Sequence, residues 1–200
     1  MINAVIFDLF GTLIYLTRNT YPYLKLCRAT NSGRRLRESQ TVDAPTLADF
    51  CNHLGESFPA NIADLQRDLD FDIELAALFD DSLPALSGLR ERGIKIALIS
   101  NLASPYRTAF HTLGLARYFD HIVFSCDVGL AKPNPAIYRL ALDALSVDAS
   151  NAIMVGDKHR ADVAGPMVCG VRGYLIERDG ESSGDSVLRS LTDVMSHLGS

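Results

Sequence analysis

The sequence predicts an α/β fold: a doubly wound parallel sheet with a helical segment inserted near the start of the chain. Three observations carry this. Short apolar runs alternate with helical patterns, the signature of βαβ units. The runs are apolar throughout instead of alternating with polar residues, as expected of strands covered on both faces. Finally, more than eighty residues separate the first run from the second, far more than a βα connection takes.

The elements follow in order. Ala4–Phe7 is the first run. The stretch after it carries helical patterns at Thr46–Leu54 and Ile62–Phe71 and no convincing strand, so residues 15–80 read as a helical insertion. A structureless loop of that length is improbable in a compact domain. Residues 1–14 and 81–200 then form the core domain. A helix opens near Ser82 and is stopped by Gly93. Ile94–Ile99 and Ile122–Phe124 are the second and third runs. Asn134 followed by Pro135 reads as an N-cap and first helical position, opening a helix through Leu145. Ile153–Val155 is the fourth run, followed by a helix over Asp162–Val168. Tyr174–Ile176 is the fifth, and a polar Gly/Ser/Asp loop leads to a last helix over Ser186–Leu198. Arg28 to Thr41 has few apolar anchors, which predicts a mobile segment.

Composition narrows the class. A chain of 200 residues suits one such domain and buries roughly 70% of its unfolded surface. Hydrophobic residues are 48% and charged residues 22%, ordinary for a soluble globular protein. The net charge of −5 argues against a general nucleic-acid-binding surface. Cys27, Cys51, Cys126 and Cys169 form no close pair and read as free thiols of a reducing cytosol. The N-terminal apolar run contains Asp8 and does not read as a signal peptide. No uncharged apolar stretch approaches the ~20 residues of a membrane span. The expectation is a cytoplasmic protein with no membrane partner, and no feature specifies an oligomeric state.

Polar residues follow the runs. Asp8 ends the first, Ser100 and Asn101 the second, and Asp157 the fourth, with Lys132 in a loop between. Ligands of open parallel sheets bind outside the carboxyl ends of the strands. One polar strand end means little; several converging ones make a site. These residues also fall into an ordered set of motifs. FDLFGTL at 7–13, SN at 100–101, KPNPAIY at 132–138 and GDKHRAD at 156–162 resemble, in order, the four motifs of the haloacid dehalogenase-like hydrolase superfamily. Each motif alone is weak or moderate, but the ordered set is specific and spans Met1 to Ile176. The resemblance implies a Rossmann-like core with a small helical cap inserted after the first strand.

It also implies roles. Asp8 is the expected nucleophile, forming a covalent aspartyl intermediate. Gly11 lets the backbone turn tightly, and Thr12 donates a hydrogen bond. Asp8, the backbone carbonyl of Phe10 and Asp157 are the expected Mg²⁺ ligands, with Asp162 holding the ion directly or from behind. Lys132 neutralises Asp8 and the phosphoryl group. Ser100 binds a phosphoryl oxygen, with Thr12 and Asn101 also placed at the substrate. For each residue there is a bland alternative: Asp8 as a turn cap, Asp157 and Asp162 as a solvated pair at a helix start, Lys132 and Ser100 as surface residues. The ordered set favours the functional reading.

Phe10 departs from the pattern. Phosphatases of the superfamily carry a second Asp there, which protonates the leaving group and then activates water; losing such a group costs ~10²–10⁴ in rate. An aromatic at this position resembles the metal-free 2-haloacid dehalogenases, and Tyr138 fits both. Against that, Gly156-Asp157 is the metal-binding form of the fourth motif, and neither Arg18 nor Arg28 sits in a flanking motif that marks a halide-binding arginine. A carboxylate beside Asp8 with no cation would repel an anionic haloacid. The expected function is therefore a Mg²⁺-dependent phosphatase acting on a small anionic compound. The alternatives are a metal-free dehalogenase and a catalytically weak binding protein. His53 is a candidate substitute acid, though a surface histidine is the simpler reading. Arg28, Arg34, Arg35 and Arg37 form a solvated cluster that steers anionic substrate by simple electrostatics, not a nucleic-acid site.

Overall fold

β1 (Ala4–Phe7) is buried along its whole length, which four apolar residues in a row permit. In the computed structural model, which describes residues 1–180 and 184–199, the chain turns from β1 into β2 (Ile14–Leu16) and then into three helices: α1 (Pro22–Ala29), α2 (Leu47–Leu54) and α3 (Ile62–Glu74). It returns through β3 (Ala76–Leu78), antiparallel to β2. From there α4 (Ser82–Glu91) leads into β4 (Lys95–Ser100), α5 (Arg107–Thr112) into β5 (His121–Phe124), and the short α6 (Ser125–Val128) and α7 (Pro135–Leu145) into β6 (Ala152–Gly156). A π-type turn, His159–Ala164, runs into α8 (Gly165–Met167), and β7 (Arg172–Ile176) and β8 (Val187–Leu188) complete the sheet.

The main sheet has six strands in the order β5-β4-β1-β6-β7-β8, all parallel. Successive residues of a strand point to opposite faces, so β1 feeds two cores. Val5 and Phe7 pack with Ile96, Leu98, Ile153 and Val155 under α4 and the C-terminal segment. Ala4 and Ile6 pack with Ala97, Ile99 and Met154 under α7, which supplies Ile137 and Tyr138. Each such large side chain contributes roughly 1.5–3 kcal/mol when fully buried.

The segment between β2 and β3 has a third core of its own, built on Tyr23, Leu26, Phe50, Leu65 and Leu69. Thr46 caps α2 in a reciprocal capping box with Asp49. The buried carboxylate of Asp72 takes the Thr20 amide at 3.0 and 3.1 Å and the Thr20 hydroxyl at 2.9 Å. That bond set ties the way into α1 to α3.

Several expectations need correction. Residues 15–80 do contain strand: Tyr15 and Leu16 pair with β3 within the β2–β3 ribbon, three residues a side, too short to show a period in sequence. The last helix does not span Ser186–Leu198. Val187–Leu188 covers the sheet edge as β8, and Ser190 caps a separate 3₁₀ segment, Leu191–His197. Part of the polar stretch before it, residues 181–183, lies outside the described residues. Asp162–Val168 is not a regular helix, because the π-type turn places Asp162 inward and Pro166 lacks a helix donor. Arg28–Thr41 is anchored instead of loose: Gly33–Gln40 is a 3₁₀ segment in which Arg35 binds Glu38 twice at 2.7 Å and the Leu54 carbonyl at 2.7 Å.

Candidate active site

The sheet order reverses about β1, which sets a crevice at the carboxyl ends of β1, β4 and β6. The Asp8 amide continues the ladder by donating to the Val155 carbonyl at 2.9 Å, so the carboxylate stands just beyond the strand. Ser100 closes β4 and is buried. Asp157 follows β6 directly. The register thus brings together residues almost 150 positions apart in the chain.

Lys132 sits at the centre with only 2% of its side chain exposed, and its ammonium group donates to Asp8 Oδ1 and Asp162 Oδ1 at 2.7 Å each. An ammonium buried alone is prohibitively costly; two carboxylates offset that. Burial opposes the charge on Lys132, but Asp8 and Asp162 outweigh it and raise the pKa. Asn101 holds this loop with two bonds, donating to the Lys132 carbonyl at 2.9 Å and accepting its amide at 2.8 Å. Burial also pushes the Asp8 carboxyl up to about 6, helped by Asp162 and Asp157 and opposed by Lys132. The Thr12 hydroxyl donates to Asp8 Oδ2 over a long 3.4 Å.

Asp157 and Asp162 differ. Both oxygens of Asp162 are engaged, Oδ1 by Lys132 and Oδ2 by the Lys158 amide at 2.9 Å. Asp157 Oδ2 accepts from the Lys158 side chain at 2.6 Å, but Oδ1 is buried with no hydrogen-bond partner among the described residues. A buried acceptor left unpaired costs ~1–3 kcal/mol, so this oxygen points to a missing ligand. Asp8, Asp157 and Asp162 each bring an oxygen to within 4.8 Å of the others. Such an oxygen-only set suits a hard divalent cation.

The loop after β1 leaves no room for a side chain at Gly11. Gly11 has φ +83°, and a Cβ there would lie 2.4 Å from Asp157 Oδ2. Gly11→Ala is therefore expected to displace Asp157 and to add a backbone penalty of roughly 1 kcal/mol. Thermal melting should show the loss. A similar squeeze holds Gly156, whose Cβ would lie 2.3 Å from Asp162 Cγ.

Phe10 is half-buried and sets its ring edge-on to Tyr106, centroids 5.5 Å apart. Both line a cavity of about 450 Å³ with Tyr23, Asn101 and Arg37. A second cavity, about 560 Å³, is lined by Lys132, Lys158, Asn101 and Arg37. A third cavity, about 830 Å³ between α3 and α5, touches none of the motif residues.

Other candidates fall elsewhere. His53 binds Glu38 at 3.0 Å and stacks on Phe50. Arg18 lies over Phe71, and Arg28 is exposed at the end of α1; neither lines the two cavities beside Lys132. Tyr138 is buried, its hydroxyl donating to the Ala161 carbonyl at 2.5 Å, so it braces the turn that carries Asp162. One residue escaped the sequence reading. Arg178 donates to the Thr12 carbonyl at 2.8 Å, pairs with Asp81 at 2.7 Å and lies 3.7 Å over the Phe79 ring. It joins the loop after Asp8 to the return from β3. Nothing local marks it, because its partners lie more than ninety residues away.

Residues 2–166 match the family model described as haloacid dehalogenase-like hydrolase. The chain is 34% identical over 123 residues to a phosphoserine phosphatase of Thermus thermophilus, an alignment covering 58% of this chain and 49% of that protein. It thus spans about half the length of the first curated relatives it matches. A crystal structure of a HAD phosphatase from Thermococcus onnurineus superposes with a TM-score of 0.70 at 23% identity, covering 99% of this chain and 98% of the other. A crystal structure of a dehalogenase gives the same TM-score at 21% identity, covering 98% and 97%. Those two likenesses speak for the fold, which carries both chemistries. The family model covers most of the chain, and with the four motifs assembled around Lys132, this protein belongs to the haloacid dehalogenase-like hydrolases.

Proposed function

We propose that the chain is a Mg²⁺-dependent phosphatase of small phosphorylated compounds, with residues 15–80 serving as the cap and 1–14 and 81–200 as the core. The observation that carries this reading is the buried, unpartnered Oδ1 of Asp157 beside Asp8. A metal-free attack on a haloacid gives that oxygen nothing to bind and sets an extra negative charge against an anionic substrate. Asp8, the Phe10 carbonyl and Asp157 would hold Mg²⁺, and Asp162 supports them by orienting Lys132. The ion supplies charge neutralisation for an incoming phosphate.

The chain's own residues do the rest. Asp8 attacks phosphorus, the bond from phosphorus to the ester oxygen breaks, and that oxygen leaves with the electron pair. Lys132 balances the charge on Asp8, while Ser100, Asn101 and Thr12 position the phosphoryl group. Water then cleaves the aspartyl phosphate, releasing orthophosphate and restoring Asp8. The relative named a phosphatase supports this chemistry over dehalogenation. Activity on a panel of phosphate esters is expected to vanish in EDTA and return with Mg²⁺. Asp157→Ala should bind Mg²⁺ far more weakly by calorimetry and be nearly inactive. Turnover of 2-haloacids in EDTA would overturn the reading in favour of the dehalogenase, and no turnover of either class in favour of a binding protein.

A further inference from the structure

Within the arginine cluster of the inserted segment, the structure separates two kinds of residue. Arg35 is consumed by Glu38 and the Leu54 carbonyl. The Arg37 side chain makes no hydrogen bond or ion pair with any described residue and lines the 560 Å³ cavity beside Lys132. Arg160, on the turn after β6, is likewise unpaired among the described residues and lines the same cavity.

The other charges in that wall are spoken for. Lys132 is divided between Asp8 and Asp162, and Lys158 is held by Asp157. Glu38 is bound by Arg35 and His53, and the Arg35 hydrogen bonds hold its carboxyl down to about 2. It is already neutralised and does not compete for further cations. The wall therefore offers two uncommitted guanidinium groups, one from the inserted segment and one from the core. A guanidinium presents a rigid fork that matches carboxylate and phosphate oxygens in pairs.

We propose that Arg37 and Arg160 form a second anion subsite beside the phosphoryl position, so that the substrate is a small phosphate ester carrying a further acidic group, carboxylate or second phosphate. This rests on the phosphatase reading above, because Lys132 marks the phosphoryl position. Arg37 also lines the cavity that holds Phe10, so the second anion would lie where the inserted segment meets the core. Both arginines are exposed residues, and solvent screens them; about tenfold in affinity is the expected total gain.

The test is calorimetric binding of three non-hydrolysable phosphonates to the full chain in Mg²⁺: propylphosphonate, 3-phosphonopropionate and propane-1,3-diphosphonate. One or both doubly acidic probes should bind about tenfold more tightly than propylphosphonate, and which one gains identifies the second group. Arg37→Gln and Arg160→Gln, checked for folding by circular dichroism, should each bring that ratio toward one, and Arg37→Lys should keep part of it. Equal affinity of all three probes for the wild type overturns the subsite while leaving the phosphatase reading standing. So does a ratio that neither variant changes. If no probe binds folded, Mg²⁺-loaded protein, the phosphoryl reading falls and the subsite falls with it.

Discussion

Asp8→Asn is expected to abolish turnover, lowering kcat by at least about 10⁴-fold, the scale on which losing a covalent nucleophile acts. The amide keeps the size of the carboxylate and its place beyond β1, but it cannot attack phosphorus. The fold should survive. Asp8 is buried and its carboxyl is raised to about 6, chiefly by that burial, so its charge near neutral pH works against the native state. A neutral side chain removes that opposition, and Lys132 keeps Asp162 as its partner. Lys132 loses one of its two carboxylate partners in exchange, so the two effects oppose each other and the variant should still melt cooperatively as a folded protein. Phosphate release and a thermal melt on the same preparation check both halves. Activity near the wild-type level would remove Asp8 from the chemistry.

Phe10→Asp is the second large effect, and it works in the gaining direction. The wild-type site has no side chain at this position able to protonate a leaving oxygen. Leaving groups of low pKa, such as aryl or acyl phosphates, need little protonation, so the wild type should favour them strongly over alkyl esters. An aspartate at position 10 should raise the alkyl rate and narrow that gap, by up to ~10²–10⁴ with ideal geometry. Less is expected here. The Phe10 ring packs edge-on against Tyr106 and lines the cavity at the inserted segment, so its removal loosens the contact that shapes this wall. The comparison is alkyl against aryl phosphate turnover in both proteins. An unchanged ratio in a folded, Mg²⁺-binding variant would show that leaving-group protonation is not what this site lacks.

How much of this was legible in the sequence follows from the range of the interactions involved. Buried parallel strands need continuous apolar runs, and all five such runs appear in the sheet within a residue or two of their expected ends. Asn134-Pro135 opens its helix as read, because capping is a local bond, here from the Ala136 amide to the Asn134 side chain at 3.0 Å. The motif residues Asp8, Lys132, Asp157 and Asp162 were readable because each stands at a strand end or a pinned loop, and such ends converge in a doubly wound sheet. The features that depend on distant partners were not legible. β2 and β3 are three residues each and exist through one another. β8 is two residues held by the edge of β7. Arg178 has meaning only against Thr12, Phe79 and Asp81. By itself, then, the sequence determined the fold class and the helical patterns between the first two runs, and it singled out the strand-end residues that packing gathers around Lys132, since periodicity and strand-end chemistry are written locally. The tertiary structure alone decided that Asp162 is committed to Lys132 while an oxygen of Asp157 has no partner among the described residues, and that Arg35 is spent while the Arg37 side chain is unpaired among them. Those outcomes are set by distances of about 3 Å between segments that only packing brings together.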